Sequence, residues 1–348
     1  MYPPCMFGTR QIEGRAKELM AAGSPEKALD LLRGMPARRS TRSLERLTLE
    51  ARHQAFRKLA STISNFGPWP PEHDSRFETV AGVPEIDYSE LTVDALRAGV
   101  IGRGALVVRG LFDANSVKVL ARAVRSTFRE YDRSDHGRTV SRRSRWLDPH
   151  TLGTSAEQRH NDRRWVRKAS GVLAADSPRS LAQFLAASES SGAIRVIEEY
   201  FGERAALSVM KTTLRMVSPQ RNVEHAWHQD GAFLGRDVRS LNMWVALSEC
   251  GQHAPTIQML TRRTPEILGS GGSESIFSWS MSTSDVEQMA GDEGIAWLHF
   301  NAGDVVFFDH LNLHSTAVRD GMTEDRLAIE AWFFAPSAFP EDRIPLLV

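Results

Sequence analysis

The residues with the clearest chemistry stand in Trp227-His228-Gln229-Asp230-Gly231. Along an extended strand, positions i and i+2 share a face, so the spacing predicts the His228 imidazole and the Asp230 carboxylate side by side, where one metal ion could take both. Taken alone the pair is weak evidence, because His160-Asn161-Asp162 repeats it. That second copy lies in a hydrophilic, arginine-dense stretch without alternation and reads as a solvated loop. His228 instead sits between two strand-like runs, next to a glycine and an aromatic residue. A third ligand is expected from Gly303-Asp304-Val305-Val306-Phe307-Phe308-Asp309-His310-Leu311-Asn312-Leu313-His314-Ser315-Thr316, with His314 as the candidate and His310 as its rival. Two histidines and one carboxylate form the facial donor set of mononuclear non-heme iron(II), which leaves coordination positions open for a chelating co-substrate and O2. A zinc hydrolase has less use for so much open coordination.

Arg326 follows His314 by 12 residues and opens the strand-like run Arg326-Leu327-Ala328-Ile329-Glu330-Ala331-Trp332-Phe333. From there its guanidinium fork can pair bidentately with a distal carboxylate, which lysine would hold less directionally. The spacing from His310 would be 16, one reason to favour His314. By period-two counting, Lys211, Thr213 and Arg215 share one face of a strand over Leu207–Val217, facing either the keto-acid end of a co-substrate or the substrate.

The elements that must position these residues are mostly strands. Candidates are 105–110, 207–217, 226–231, 241–248, 256–260, 295–300, 305–308 and 327–334, with a turn at 218–222 and a Gly/Ser-rich loop at 269–275. Many short strands with turn signals point to a β-sandwich or barrel with helices outside it. Helices are expected from Asp113, an N-cap, to Tyr131, with Val117, Leu120, Val124 and Phe128 at helical spacing, over 177–201, and near 284–290. Before Phe66-Gly67-Pro68-Trp69-Pro70-Pro71, a stiff linker, the text is helical: 16–22, 25–32 with Ser24 as cap and Pro25 at the first position, and 43–63. Two short helices across Gly23-Ser24-Pro25 resemble a single tetratricopeptide unit without a second copy, so a packing extension is expected. The domains are therefore 1–66, a helical extension, and 67–348, the main domain.

Three blocks carry a resemblance: Trp227 to Gly231; Asn242-Met243-Trp244-Val245-Ala246-Leu247-Ser248; and Gly303 to Thr316 with Arg326. In this order and spacing the sequence from about Val83 onward resembles the phytanoyl-CoA dioxygenase family of iron(II)- and 2-oxoglutarate-dependent oxygenases. The resemblance implies an α+β fold with a double-stranded β-helix (jelly-roll, cupin-like) core, and iron held by His228, Asp230 and His314. It also implies that Arg326 holds the distal carboxylate of 2-oxoglutarate, that Thr316 hydrogen-bonds it, and that Trp244 lines its pocket. Lys168 is a looser match to a basic residue that relatives place on an earlier strand, which would make it a co-substrate contact. The implied activity is hydroxylation of an unactivated C–H bond with Fe(II), 2-oxoglutarate and O2. The tract 248–255 lacks the Asn-Gly of many relatives, and Met259-Leu260-Thr261-Arg262-Arg263 lacks their Pro-Gly-Ser-His, so the substrate is not copied from the namesake.

Composition agrees with a small-molecule enzyme. In 348 residues, 43 Lys and Arg balance 43 Asp and Glu, which argues against a nucleic-acid partner. Only six of those cations are lysines. The 2 cysteines, Cys5 and Cys250, exclude a disulfide framework, and with no signal-like start or long apolar run they predict a cytoplasmic protein without a membrane span. Arginines concentrate from Arg138 to Arg167, either as a solvated loop or as a lid recruiting an anionic or carrier-bound substrate. The helical N-terminus is expected to dock on the main domain, a protein partner or a second subunit. Two other classes remain open on sequence grounds: a binding or regulatory protein on a degenerate oxygenase scaffold, and a cupin-like metal enzyme that does not use 2-oxoglutarate.

Overall fold

The structure, a computed structural model, describes residues 8–35, 40–63, 67–134, 139–141, 143–149, 152–153, 163–220, 226–271, 275, 277–291 and 294–348. Its first helices are α1 (Thr9–Ala21), α2 (Pro25–Arg33) and α3 (Arg42–Ala60). Pro25 starts α2, but the Ser24 side chain makes no cap hydrogen bond. In α3 the cap is Thr41, whose hydroxyl accepts from Leu44 N at 3.4 Å. Ile12, Ala16, Leu29, Leu32, Leu44 and Leu47 of the three helices bury one another. Farther along α3, Phe56 joins Ala206 and Leu347 of the sheet, Arg52 donates to Leu347 O at 2.7 Å, and His53 Nδ1 lies 3.0 Å from Pro345 O.

Beyond them come β1 (Glu85–Asp87), α4 (Val93–Arg97), β2 (Ala105–Arg109), α5 (Ala114–Arg133), α6 (Arg163–Lys168), β3 (Gly171–Leu173), α7 (Pro178–Ser190), α8 (Ala193–Phe201) and β4 (Ala206–Val217). Then follow α9 (Gly231–Leu234), β5 (Ser240–Ala246), β6 (Thr256–Leu260), α10 (Thr283–Ala290), β7 (Ile295–Trp297), β8 (Val305–Phe308), β9 (His314–Ala317), β10 (Arg326–Phe334) and β11 (Pro345–Leu347). An 8-stranded sheet runs β1-β2-β8-β5-β10-β4-β11, with β3 also paired to β4. A 3-stranded sheet runs β7-β6-β9.

Strand alternation shows how the layers stack. Met243, Val245, Val305, Phe307, Leu327 and Ile329 point from the large sheet into a core shared with α5, α7 and α8. The intervening Trp244, Ala246, Val306, Phe308, Ala328 and Trp332 point the other way, against Ile257 and Met259 of the small sheet. Both faces of the central strands are therefore buried, which is why these segments read as continuous apolar runs. The turn into β8 depends on Gly303: its φ is +105°, and a Cβ there would stand 2.4 Å from Phe112 O. Only glycine fits that approach without the turn moving.

Three expectations need correction. The helix expected over 177–201 is two helices, because Gly192 takes a left-handed φ of +77° between them. The run 226–231 is not a strand: Trp227 and His228 make isolated bridges, and Asp230 is already αR at the start of α9. The strand at 295–300 stops at Trp297. The short strands β1, β3 and β11 went unread because three residues carry too little periodicity. No helix among the described residues is long and apolar enough to cross a membrane.

One ion-pair cluster joins the N-terminal helices to the segment ahead of α6. The Asp148 carboxylate, buried, accepts from Arg42 and Arg46 of α3, including Arg46 Nε at 2.5 Å. Burial would raise its pKa, but the hydrogen bonds and charges of both arginines hold it below the usual carboxylate range. A carboxylate with a depressed folded pKa stabilises above its unfolded pKa, ~3.9, and that contribution is lost as pH falls through the lower folded value. Asp148→Asn is expected to lower stability by about 1 kcal/mol at pH 7, since both arginines are partly solvated. In denaturant melts the gap from wild type closes as pH drops below about 4.

Candidate active site

His228 and His314 are brought together by the backbone, not by side-chain spacing. His228 N donates to His314 O at 3.0 Å and His314 N returns a bond to His228 O at 3.1 Å, so the segment before α9 is pinned to the start of β9. Each ring then turns one nitrogen to a carbonyl: His228 Nδ1 lies 2.9 Å from Ala226 O, and His314 Nδ1 3.1 Å from Asn312 O. A carbonyl only accepts, so both Nδ1 atoms carry a proton, and a neutral ring then keeps its lone pair on Nε2. His314 Nε2 lies 3.7 Å from Asp230 Oδ2. Ligand atoms of His228, Asp230 and His314 all fall within 4.8 Å of one another, close enough to share one metal ion.

The electrostatics prepare these groups as ligands. Burial, assisted by the neighbouring His314, pushes His228 down to about 4, leaving it neutral near pH 7. For Asp230, burial works upward, but the Lys211 ammonium and the two imidazoles outweigh it and hold the carboxyl at about 2. Lys211 Nζ sits 2.8 Å from Asp230 Oδ1 and 3.6 Å from the centroid of Phe233, while Oδ2 is the oxygen turned toward His314. His310, the rival ligand, lies outside the group: its Nδ1 is 2.8 Å from Ser240 Oγ.

Arg326 lies at the start of β10, in the same cavity of 540 Å³ as His228 and His314. It is 3 % exposed. One terminal nitrogen donates to Thr256 O at 2.7 Å and the other reaches Thr316 Oγ1 at 3.4 Å, while Nε has no partner. Burial lowers its pKa to about 10, so it remains a cation at neutral pH. Among the described residues no carboxylate pairs with it. Trp244 covers it, with the guanidinium carbon 5.5 Å from the ring centroid. Such a buried, incompletely satisfied cation is costly unless an anion enters beside it.

The remaining candidates divide. Thr316 and Trp244 line the cavity with Arg326. Lys168 lines it too, but from the end of α6 and solvent-exposed, not from an earlier strand. Lys211 and Thr213, expected to face the keto-acid end of a co-substrate or the substrate, are bonded to the protein's own carboxylates: Lys211 to Asp230, and Thr213 to Glu330 at 3.4 Å. Arg215 pairs with Glu330 at 2.6 Å. In the arginine-rich stretch, Arg163 pairs with Asp176 and Arg167 with Asp132, so these two brace the fold. Arg138, Arg142, Arg159, His160, His225 and the Phe66 end of the linker lie outside the described residues.

Sequence reasoning missed Asn242. It is 1 % exposed, lines the cavity, and leaves its side-chain carbonyl oxygen without a partner. The signal was available, since Asn242 stands two positions before Trp244 on β5 and must face the same side. Phe277 and Trp279 were missed because they belong to a loop without periodicity.

The profile of the family described as phytanoyl-CoA dioxygenase matches residues 102–318. The chain belongs to the phytanoyl-CoA dioxygenase family. The match takes in both histidines, Asp230, Trp244 and Thr316, and ends before Arg326. No curated protein matches the chain. Among solved structures, it is similar to the non-heme alpha-ketoglutarate-dependent carbocyclase SnoK from nogalamycin biosynthesis, at 14% identity, TM-score 0.47, covering 77% of this chain and 100% of that one. It is also similar to EctD from S. alaskensis with 2-oxoglutarate and 5-hydroxyectoine, at 17% identity, TM-score 0.46, covering 76% and 87%. A third is AviO1 from Streptomyces viridochromogenes Tue57, at 14% identity, TM-score 0.43, covering 72% and 99%.

Proposed function

We propose that this member of the phytanoyl-CoA dioxygenase family is an iron(II)- and 2-oxoglutarate-dependent oxygenase that hydroxylates a C–H bond of a small organic substrate. The observation that carries the reading is the placement of His228 and His314, with Asp230 beside them, and of Arg326 in one cavity, Arg326 having no carboxylate partner among the described residues. The donor set fits iron(II): two imidazoles and an ionised carboxylate, with no thiolate. The lining also fits a carboxylate, for Arg326 Nε is a buried donor without a partner. In this reading the two sheets form a double-stranded β-helix, residues 1–66 are a helical extension of the oxygenase domain 67–348, and the enzyme is cytoplasmic, with no nucleic-acid partner.

His228, Asp230 and His314 would hold the metal, and Arg326 with Thr316 the distal carboxylate of the co-substrate, against Trp244. With 2-oxoglutarate and O2, iron would supply the oxidising chemistry, releasing succinate and CO2. The protein's own part is orientation and exclusion of water. Lys211 keeps one oxygen of Asp230 occupied, so the carboxylate offers the metal a single oxygen. Ala226 O and Asn312 O fix the ring tautomers, as carbonyl partners of metal-bound histidines do. The test is anaerobic addition of iron(II) and 2-oxoglutarate to the full chain: a visible charge-transfer band supports the reading, and no band overturns it. Asn242 would donate its amide N–H to the bound co-substrate. Asn242→Ala is expected to weaken 2-oxoglutarate binding about tenfold, the worth of a hydrogen bond to a charged group, as measured by titrating that band.

A further inference from the structure

The loop between β6 and α10 and the helix α6 build the mouth of the cavity from aromatic rings. Phe277 and Trp279 are stacked at 4.7 Å with planes 7° apart. Trp279 stands edge-on to His228 at 5.3 Å and to Phe233 at 5.8 Å. Trp165 of α6, 46 % exposed, lines the same mouth. Three aromatic side chains lining one concave mouth form the kind of surface on which an apolar group binds.

Charge narrows what that is. The carboxylates lining this cavity and the smaller hollow beside it are already matched: Glu330 by Arg215, Asp230 by Lys211. Arg326 is committed to the co-substrate. Lys168, one turn along α6 from Trp165, remains as a mouth-lining ammonium without a carboxylate partner among the described residues. Among the described residues a cationic substrate would find no unmatched counter-charge, whereas an anion would find Lys168.

We propose that the mouth, through Trp165, Phe277, Trp279 and Lys168, recognises a planar aromatic substrate bearing an anionic group. Stacked and edge-on ring contacts favour a π-face over an aliphatic surface of equal area. Lys168 would fix which end of the molecule faces outward, leaving the opposite end toward His228. The proposal rests on the oxygenase reading only in giving Arg326 to the co-substrate.

The test uses three probes of similar shape on the full chain with iron(II) and 2-oxoglutarate under anaerobic conditions: 2-naphthoate, decahydronaphthalene-2-carboxylate and 2-naphthylmethylammonium. Binding is read by calorimetry and by perturbation of the charge-transfer band. The expected result is 2-naphthoate binding about tenfold tighter than its saturated analogue, with the cation weakest. Trp165→Ala and Lys168→Glu should each weaken 2-naphthoate about tenfold while the 2-oxoglutarate affinity holds. Equal affinities for the aromatic and saturated acids would overturn the proposal, as would a Lys168→Glu variant that loses 2-oxoglutarate instead of 2-naphthoate. If the wild type gives no band, the oxygenase reading fails, and the probe preference is decided by calorimetry on the metal-free chain.

Discussion

Replacing His228 with alanine is expected to reduce succinate release from 2-oxoglutarate by about three orders of magnitude or more, because one of the three proposed protein ligands is lost. The same change should erase the anaerobic charge-transfer band. Removing the ring costs the fold its hydrogen bond to Ala226 O and its contacts with Phe233 and Trp279, so the melt must be measured beside the band. A thermal melt close to that of the wild type, with no band, would therefore separate loss of metal from loss of structure. Full succinate release by His228→Ala would end the assignment of the triad.

The second large effect belongs to Arg326→Ala. A charge-assisted, bidentate contact in a buried site is worth roughly 2–4 kcal/mol, so the KM for 2-oxoglutarate is expected to rise by about 30- to 1000-fold. The variant should also show what burying this cation costs. Arg326 is buried deeply enough to bring its pKa down to about 10, and its Nε bonds to nothing. Removing it from the co-substrate-free protein should cost little stability, while 2-oxoglutarate, expected to raise the melting temperature of the wild type by linkage, should no longer do so. An unchanged KM would favour a metal enzyme that does not use this co-substrate.

Much of the site was legible because its chemistry is written in residue types. His228, Asp230, His314 and Arg326 are few in kind and ordered along the chain, and β6 and β8 ended where their apolar runs ended. The reason given for the His228–Asp230 pair was wrong in detail. The two side chains meet because Asp230 begins a helical turn after a bridge to β9, a long-range constraint that no local period encodes. Gly192 split a helix whose apolar pattern continues on both sides, since a 3.6-residue period does not register one left-handed residue. Lys211 and Thr213 were placed on the correct face of β4, yet their partners come from elsewhere in the chain. Pairing across that distance depends on register and depth, which a single strand's alternation leaves open.

The grip of α3 on β11 bears on how the protein would come apart. Arg52 and His53 bond to backbone carbonyls of Leu347 and Pro345, Phe56 fills a gap beside Ala206, and β11 is hydrogen-bonded to β4, the strand that carries Lys211 and Arg215. A protease that cuts between α3 and β1 would thus produce two fragments that migrate together on a sizing column and separate only in denaturant. Expressed without its first helices, the remainder would expose the apolar floor under Phe56 directly behind the strand that steadies Asp230. Loss of metal affinity in such a truncation would then report a loosened β4, with every ligand still in the chain.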